Sequence, residues 1–178
     1  LKRLRPKRFV RLVGAEPTVR QDLPAIIRDV KDSGHHPVLM TNGLRLSDRS
    51  YVREIKKAGV QVVYLSMNGA FDDDLYEQMD GLRCSDRKAR AFENLAAEHV
   101  FTSVGMIVVA DCNTAGVTPL FEASRHARNV REFHLRSVGA IGRFMDTVPL
   151  NLDELLALFC AASGAKAHEL NRRVRTLT

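Results

Sequence analysis

Small and polar residues follow each of five apolar runs in this 178-residue sequence. The segment Gly14-Ala15-Glu16-Pro17 has the most distinctive chemistry. Its small residues let a ligand approach the backbone closely, and Pro17 fixes the turn that carries the carboxylate. Such a carboxylate accepts hydrogen bonds from a ligand ammonium group; a β-turn with a merely solvated Glu16 is the alternative. The other segments are Thr41-Asn42-Gly43, Ser66-Met67-Asn68-Gly69, Asp111-Cys112-Asn113, and Arg136-Ser137 leading to residues 139–143.

The apolar runs that precede these segments predict five β-strands, at about residues 9–13, 38–41, 62–66, 102–109 and 131–136. Amphipathic helical patterns lie between them; the first begins after Asp22, which is placed to cap it. Five β-α units in a row predict an α/β fold with a parallel sheet, either open and doubly wound or part of a (β/α) barrel. Because a complete eight-fold barrel takes about 250 residues, the length favours a partial TIM-type barrel.

Alternation along the strands predicts a polar inner face and an apolar outer face of the sheet. Ligands of parallel α/β folds bind at the carboxyl ends of the strands, so this pattern indicates a polar ligand in the mouth of the barrel. His134, two residues before Arg136 on the inner face, is a further candidate functional residue. The predicted inner residues are Tyr64, Ser66, Asn68, His134 and Arg136, and the outer ones are Val63, Leu65, Met67, Phe133 and Leu135.

Several other groups of residues are interpreted as structural. The acidic run Asp72-Asp73-Asp74 resembles a divalent-cation patch, but the start of a helix is favoured because carboxylates there interact well with the helix dipole. The pair His35-His36 is interpreted as a surface turn before the second strand. In the last helix, after Asn151, the residues Leu152, Leu155, Leu156 and Phe159 are expected to form the apolar stripe.

The formal net charge of the chain, +6, equals the charge of its first eleven residues, which hold six Lys or Arg side chains and no acidic one. The rest of the chain is formally neutral, so no nucleic-acid partner is expected. No apolar run reaches the roughly 18 residues that cross a bilayer, so no transmembrane segment is expected either. Three scattered cysteines favour a reducing compartment and a cytoplasmic location. We expect one domain over residues 1–178, with its core at 9–163 and a C-terminal tail at 164–178.

Three of the strand-end segments together resemble those of radical S-adenosylmethionine (SAM) enzymes. The run from Val10 to Pro17, continued by Arg20-Gln21-Asp22-Leu23-Pro24, is similar to their second strand, which ends in Gly-Gly-Glu-Pro. Met40-Thr41-Asn42-Gly43 resembles the Thr-Asn-Gly end of their third strand, and residues 63–69 resemble their fourth. The resemblance covers about residues 9–143, which implies strands 2 to 6 of a radical SAM barrel. It looks closest to the MoaA-like, molybdopterin-pathway branch, and Gly142-Arg143 resembles the tetraether-lipid-synthase-like group.

The resemblance implies an enzyme in which a [4Fe-4S] cluster cleaves SAM reductively and the 5′-deoxyadenosyl radical takes hydrogen from a substrate. It implies a small-molecule, lipid or peptide substrate and an electron donor such as flavodoxin or ferredoxin. By position, the methionine amino group would be bound by Gly14, Ala15, Glu16 and Pro17, and the ribose or carboxylate by Thr41, Asn42, Ser66 and Asn68. Arg136 would bind the carboxylate or the substrate, and Ile107 and Val108 would flank the adenine.

The sequence departs from the family pattern in two places. Ala15 stands where the second glycine is expected and adds a methyl group where the backbone approaches the ligand. The Cys-x-x-x-Cys-x-x-Cys loop, which supplies three thiolates to the cluster, is absent. Cys84, Cys112 and Cys160 are too widely spaced to replace it. We therefore expect no metal ligands in this chain and a cluster held by a segment N-terminal to it.

Two alternatives remain open from the sequence. The chain could be a non-catalytic, degenerate domain that keeps a SAM-like site without a cluster. It could also be an unrelated α/β barrel enzyme, such as a sugar-phosphate aldolase or isomerase. The second alternative predicts a lysine or paired carboxylates at the strand ends. No lysine follows a predicted strand, and the carboxylates Glu16 and Asp111 are isolated in sequence, so this alternative ranks lowest.

Overall fold

The computed structural model describes residues 7–139, 144, 146–166 and 168, and within them five parallel strands form one sheet. The strands are β1 (Phe9–Leu12), β2 (His36–Thr41), β3 (Val62–Ser66), β4 (Phe101–Val108) and β5 (Val130–Ser137). They lie side by side in chain order. A doubly wound sheet reverses its strand order part-way, whereas an unbroken order is that of a barrel wall. The five predicted parallel strands are confirmed, with ends that differ by one or two residues.

Helices connect consecutive strands, and one more helix follows the last strand. The connecting helices are α1 (Leu23–Asp32), α2 (Arg49–Ala58), α3 (Asp73–Asp80), α4 (Ser85–Ala97) and α5 (Val117–His126), and α6 (Leu152–Ser163) follows β5. Asp72 caps α3 by accepting hydrogen bonds from the backbone N–H groups of Asp74 and Leu75, so the acidic run is a helix start as predicted. Asp22 precedes α1 but makes no capping hydrogen bond. Its carboxylate accepts instead from the Arg20 guanidinium, at 2.9 and 2.7 Å.

The hydrophobic core lies between the outer face of the sheet and the helices. In β2, β3 and β4 every second residue points into it and is almost completely buried, as the predicted alternation requires, whereas the residues of β1 and β5 are at most partly buried. Burial of one such side chain contributes roughly 1.5–3 kcal/mol. The strand residues of this core include Leu39, Val63, Leu65, Val104 and Met106, and the helices contribute Ile27, Val52, Ile55, Leu95 and Leu120. The inner face has no helix over it in the described part of the chain and forms an open trough.

Two interpretations from the sequence are wrong. His35 is 4% exposed rather than a surface residue, because its ring Nδ1 accepts a hydrogen bond from the Arg8 backbone and His36 is already the first residue of β2. Leu152 is 78% exposed, because it occupies the first turn of α6 and only the following turns of that helix reach α5 and β5.

Some sequence predictions fall outside the described residues. These are the basic residues Lys2, Arg3 and Arg5, the segment at 140–143 with Gly142-Arg143, and most of the tail at 164–178. Within the described part of the chain, no helix is both long enough and apolar enough to span a membrane.

Candidate functional site

Glu16 is the centre of a hydrogen-bond network at the carboxyl ends of β1 and β2. Its Oε1 accepts from the backbone N–H of Thr18 at 3.1 Å and from the hydroxyls of Thr18 and Thr41, both at 2.6 Å. Its Oε2 accepts from the backbone N–H of Asn42 at 2.7 Å. Glu16 is therefore not a merely solvated turn residue. The carboxylate connects the loop after β1 to the end of β2 and fixes the position of the backbone that precedes it.

That preceding backbone is open to solvent. Gly14 and Ala15 are both exposed, and a Cβ atom added to Gly14 would meet no protein atom within 4 Å. Neither packing nor a left-handed backbone thus explains a glycine here. Pro17 is buried and begins a short 3-10 turn, Pro17–Val19, which holds the loop from its other side. The loop is thus held on both sides of Glu16 and has free space beside the Gly14 backbone, so a ligand could approach that backbone closely.

The loop after β2 is held by its own side chains. Thr41 is 5% exposed, and its hydroxyl also accepts from the Gly43 backbone N–H at 3.0 Å. The Asn42 side-chain oxygen accepts from the Leu44 N–H at 2.9 Å, which leaves the side-chain NH₂ without a partner among the described residues. Gly43 has a φ of +79°, and an added Cβ would lie 2.2 Å from a methyl carbon of Leu65. Only glycine fits at that position.

The ends of β3 and β4 are joined by two asparagines. Asn68 accepts from the backbone N–H of Ile107 at 3.0 Å and donates to Asp80 at 3.1 Å. Asn113 is completely buried and donates to the carbonyl oxygens of Asn68 and Ile107, both at 2.7 Å. Its side-chain oxygen accepts from the Val109 N–H at 2.8 Å. Asn113 lies at a predicted strand exit, but nothing in the sequence indicates this role.

A buried lysine lies beneath the exit of β3. Lys88 is 1% exposed, and its Nζ donates to the carbonyl oxygen of Ser66 at 2.8 Å and lies 5.0 Å from the centroid of the Tyr76 ring. Burial lowers the pKa of this ammonium group. A lysine thus does reach a strand exit, although it comes from α4 rather than from the chain after a strand. Its spacing with the buried Ala91 and Leu95, i, i+3 and i+7, is a sequence signal for its burial but not for its contact with Ser66.

Arg136 lies on the inner face of β5, at the opposite edge of the sheet from β1. Its guanidinium carbon is 5.4 Å from the centroid of the Tyr64 ring. A Cβ on Gly105 would lie 1.8 Å from the Tyr64 hydroxyl, so that glycine makes room for the ring. Ile107 is also exposed on this face. Val108 is completely buried on the helix side, and the expectation that it flanks an adenine is wrong because strand alternation turns it away from the trough.

His134 belongs to a polar cluster further down the inner face. Its Nε2 lies 3.1 Å from a Glu132 carboxylate oxygen and 3.4 Å from the Ser103 hydroxyl, which itself donates to the same carboxylate oxygen. These hydrogen bonds hold the pKa of Glu132 below its usual range. In a hydrolytic triad the acid and the nucleophile contact different nitrogens of the histidine. Here both contact Nε2, so the cluster is not a nucleophilic triad.

The cysteines do not form a cluster site. Cys84 is buried at the start of α4, and burial raises the pKa of its thiol. Cys112 lies 3.4 Å from the Gln78 side chain and 3.6 Å from the Met79 sulfur, and Cys160 lies on α6. Among the described residues, no three His, Cys, Asp or Glu side chains are grouped so that they could hold a metal ion. The described residues therefore do not fit an iron–sulfur cluster.

Comparison with known proteins identifies the family. The profile of the Radical SAM superfamily matches residues 1–113, which is more than half of the chain. The chain belongs to the radical SAM superfamily of enzymes. The resemblance inferred from the strand-end motifs is thus confirmed, and the second alternative, an unrelated α/β barrel, is excluded.

Two relatives indicate where in the superfamily the similarity lies. A probable GTP 3′,8-cyclase from Thermoplasma volcanium is 34% identical over 123 residues, which cover 66% of this chain and 36% of that protein. A 7,8-dihydro-6-hydroxymethylpterin dimethyltransferase from Methanocaldococcus jannaschii is 39% identical over 69 residues, covering 38% of this chain and 14% of that protein. The first agrees with the expected MoaA-like branch. The chain spans well under half of the length of these curated relatives.

Solved structures show the same fold at low sequence identity. A domain of a pyruvate-formate lyase-activating enzyme from Bacteroides vulgatus superposes with a TM-score of 0.73 at 11% identity, covering 87% of this chain and 92% of that one. SuiB of Streptococcus suis, bound to S-adenosylmethionine, gives a TM-score of 0.70 at 16% identity, covering 84% of this chain and 34% of that one. These similarities support the partial radical SAM barrel that the sequence predicts.

Proposed function

We propose that this chain is the SAM-binding core of a radical SAM enzyme that takes hydrogen from a substrate through a 5′-deoxyadenosyl radical. The observation that carries the proposal is the Glu16 network, which joins the exits of β1 and β2 and leaves the backbone of Gly14 and Ala15 open. Membership of the superfamily indicates which ligand this open backbone would bind.

The backbone carbonyl groups of Gly14 and Ala15 would accept hydrogen bonds from the methionine ammonium group. Glu16 would add a negative charge beside it, since its Oε2 accepts only one hydrogen bond from the described residues. Thr41 is buried, with its hydroxyl used by Glu16 and Gly43, so in this proposal it orients the carboxylate. The unpartnered NH₂ of Asn42 is the group at the end of β2 that would reach the cofactor.

Residues of β3 and β5 would complete the site from the inner face. The Ser66 hydroxyl makes only a long contact, 3.4 Å, with Asn68 and would hydrogen-bond to a ribose hydroxyl. Asn68 is occupied by Ile107 and Asp80 and would act by positioning β4. Arg136 would bind the methionine carboxylate or the substrate. When bound, SAM supplies the 5′-deoxyadenosyl radical; the [4Fe-4S] thiolates and the electron donor, such as flavodoxin or ferredoxin, would come from outside these 178 residues.

The test is SAM binding and 5′-deoxyadenosine formation by the full-length protein, purified without oxygen and treated with a chemical reductant. Two variants test how closely a ligand approaches this backbone: Gly14→Ala adds a methyl group, and Ala15→Gly removes one. We expect Gly14→Ala to lower SAM affinity on the order of tenfold, because the methyl group enters the free space. We expect Ala15→Gly to bind SAM at least as tightly as the wild type. Gly14→Ala should not lower the urea midpoint, since the added Cβ contacts no protein atom. Ala15→Gly should lower stability by about 0.4–1 kcal/mol, because glycine gives the unfolded chain more freedom.

The outcomes separate the candidate functions. Formation of 5′-deoxyadenosine that depends on SAM and reductant supports the proposal. SAM binding without that product in the full-length protein would support the non-catalytic alternative instead. Absence of SAM binding, or equal affinities for wild type and Gly14→Ala, would overturn the assignment of the site.

A further inference from the structure

The open trough on the inner face holds a cavity of about 470 Å³ whose charges are not balanced. Arg11, Arg131 and Arg136 line it, and the carboxylate of Glu132 is the single acidic group among its lining residues. None of these three guanidinium groups lies within 4.0 Å of a carboxylate of the described residues. Three arginines that face one cavity without such partners form a site for an anion.

Aromatic rings hold two of the guanidinium groups in place. The guanidinium carbon of Arg131 is 5.0 Å from the centroid of the Phe101 ring, and that of Arg136 is 5.4 Å from the centroid of the Tyr64 ring. A guanidinium that rests on a ring by its face keeps its N–H edges available. Those edges match the two oxygens of a carboxylate or phosphate, which bind arginine through paired hydrogen bonds. Arg131 and Arg136 are therefore positioned by the protein itself, without a bound anion.

The arginines lie at two levels of the trough. Arg11 is beside Val38, which is beside Val62, which is beside Phe101, so these residues share one level, at the amino-terminal ends of β3 and β4 and three residues before Gly14 on the β1 side. Arg131 stacks on Phe101 at that level. Arg136 lies five residues further along β5, which is at most about 16 Å at the usual strand rise because a bulge at Arg131 shortens the path. The cavity thus has a cationic end at the starts of β3, β4 and β5, separated from the exits of those three strands by the length of a small organic molecule.

We propose that Arg11 and Arg131 bind the phosphate or carboxylate group of the substrate, which is an organic anion that extends along the trough toward the strand exits. This inference rests on the proposed function, which supplies a reaction at the strand exits. The polar cluster of Ser103, Glu132 and His134 lies between the two ends and offers hydrogen bonds to the middle of the molecule. The same charges disfavour a cationic substrate.

Small probes test the anion site directly on the full-length protein. Phenyl phosphate and benzoate carry the two candidate anions, and phenol is the neutral compound of similar shape. Binding is measured by calorimetric titration at low ionic strength, because salt screens exposed charges. We expect Arg11→Gln and Arg131→Gln each to lower the affinity for the better anion on the order of tenfold. Arg28→Gln removes one positive charge from the exposed face of α1 and is expected to leave it unchanged.

The relative affinity for phenyl phosphate and benzoate identifies the anion. Phenol binding as strongly as both anions would overturn the inference, and so would an equal loss in Arg28→Gln and Arg131→Gln. SAM affinity is measured in the same variants and should stay within twofold of the wild type. SAM binding without any arginine-dependent anion binding refutes this inference alone. Arginine-dependent anion binding without SAM binding refutes the proposed function and leaves only the anion site.

Discussion

Replacement of Asn113 by alanine should both destabilise the fold and weaken SAM binding. The side chain is completely buried and makes three hydrogen bonds to backbone groups, those of Asn68, Ile107 and Val109. Each buried backbone group that loses its partner costs about 1–3 kcal/mol. Relaxation and a water molecule in the vacated space reduce the sum. We expect Asn113→Ala to lower the free energy of unfolding by about 3 kcal/mol.

Asn129 provides a matched control because it contacts the beginning of β4, whereas Asn113 contacts the end of that strand. It is also buried, and its NH₂ group donates to the Val100 carbonyl at 3.1 Å and to the Thr102 hydroxyl at 3.0 Å. The Thr102 hydroxyl itself donates to the Val100 carbonyl, so removal of Asn129 leaves that carbonyl with a partner. Asn129→Ala should therefore cost less, about 1–2 kcal/mol. It lies near the amino-terminal end of β4, away from the strand exits, so it should not change SAM affinity.

Urea unfolding followed by circular dichroism gives the two free energies, provided that the slopes of the transitions agree with the wild type. SAM affinity is measured by equilibrium dialysis without urea, where both variants are folded. We expect a loss of affinity on the order of tenfold in Asn113→Ala, because the ends of β3 and β4 are no longer held together. Wild-type SAM affinity in Asn113→Ala would refute a role for this asparagine in shaping the site. So would equal effects of the two variants on affinity.

Two further perturbations test the packing around the trough and the strand exits. Gly105→Ala should destabilise the fold by about 1–3 kcal/mol because its Cβ would overlap the Tyr64 ring. Urea unfolding should show a smaller cost of the same exchange in a Tyr64→Leu background. An equal cost in both backgrounds would contradict this contact. Burial lowers the pKa of Lys88, so the folded protein loses this proton at a lower pH than the unfolded chain does. The stability of the wild type relative to Lys88→Met should therefore rise as pH increases toward about 10; a difference that does not change between pH 7 and 9.5 would contradict this reasoning.

The sequence predicts the strands and the exits of β1, β2 and β3 because their signals are local. An apolar run followed by Gly-Ala-Glu-Pro or Thr-Asn-Gly specifies both a strand end and a tight turn within a few residues. The Glu16 network joins residues 25 and 26 positions apart, yet both partners lie in predicted motifs. Parallel neighbours bring their carboxyl ends together, so the pairing of these two loops follows from the fold class.

The contacts of Lys88 and Asn113 could not be predicted in the same way. Lys88 comes from a helix and reaches a carbonyl 22 residues earlier, and Asn113 reaches one 45 residues earlier. Which polar side chain satisfies a buried backbone group depends on the tertiary positions of both, and neither residue type nor spacing fixes them. The exposure of Leu152 has a similar origin, since periodicity marks the apolar side of a helix but not how many of its turns reach the core.

Most of the polar side chains at the strand exits bind the protein itself. Thr41, Asn68 and Asn113 each bridge two segments of chain, and the Glu16 carboxylate accepts four hydrogen bonds from its neighbours. A ligand that enters this site meets mainly backbone groups held in place by those side chains. Because such a site needs no reorganisation when it binds, an exchange of one side chain should act through the position of the backbone rather than through a lost contact. On this reasoning a Thr41→Ser variant, which keeps the hydroxyl that orients Glu16, should bind SAM as tightly as the wild type. Thr41→Val removes that hydroxyl, which should loosen the loop and lower the affinity for SAM.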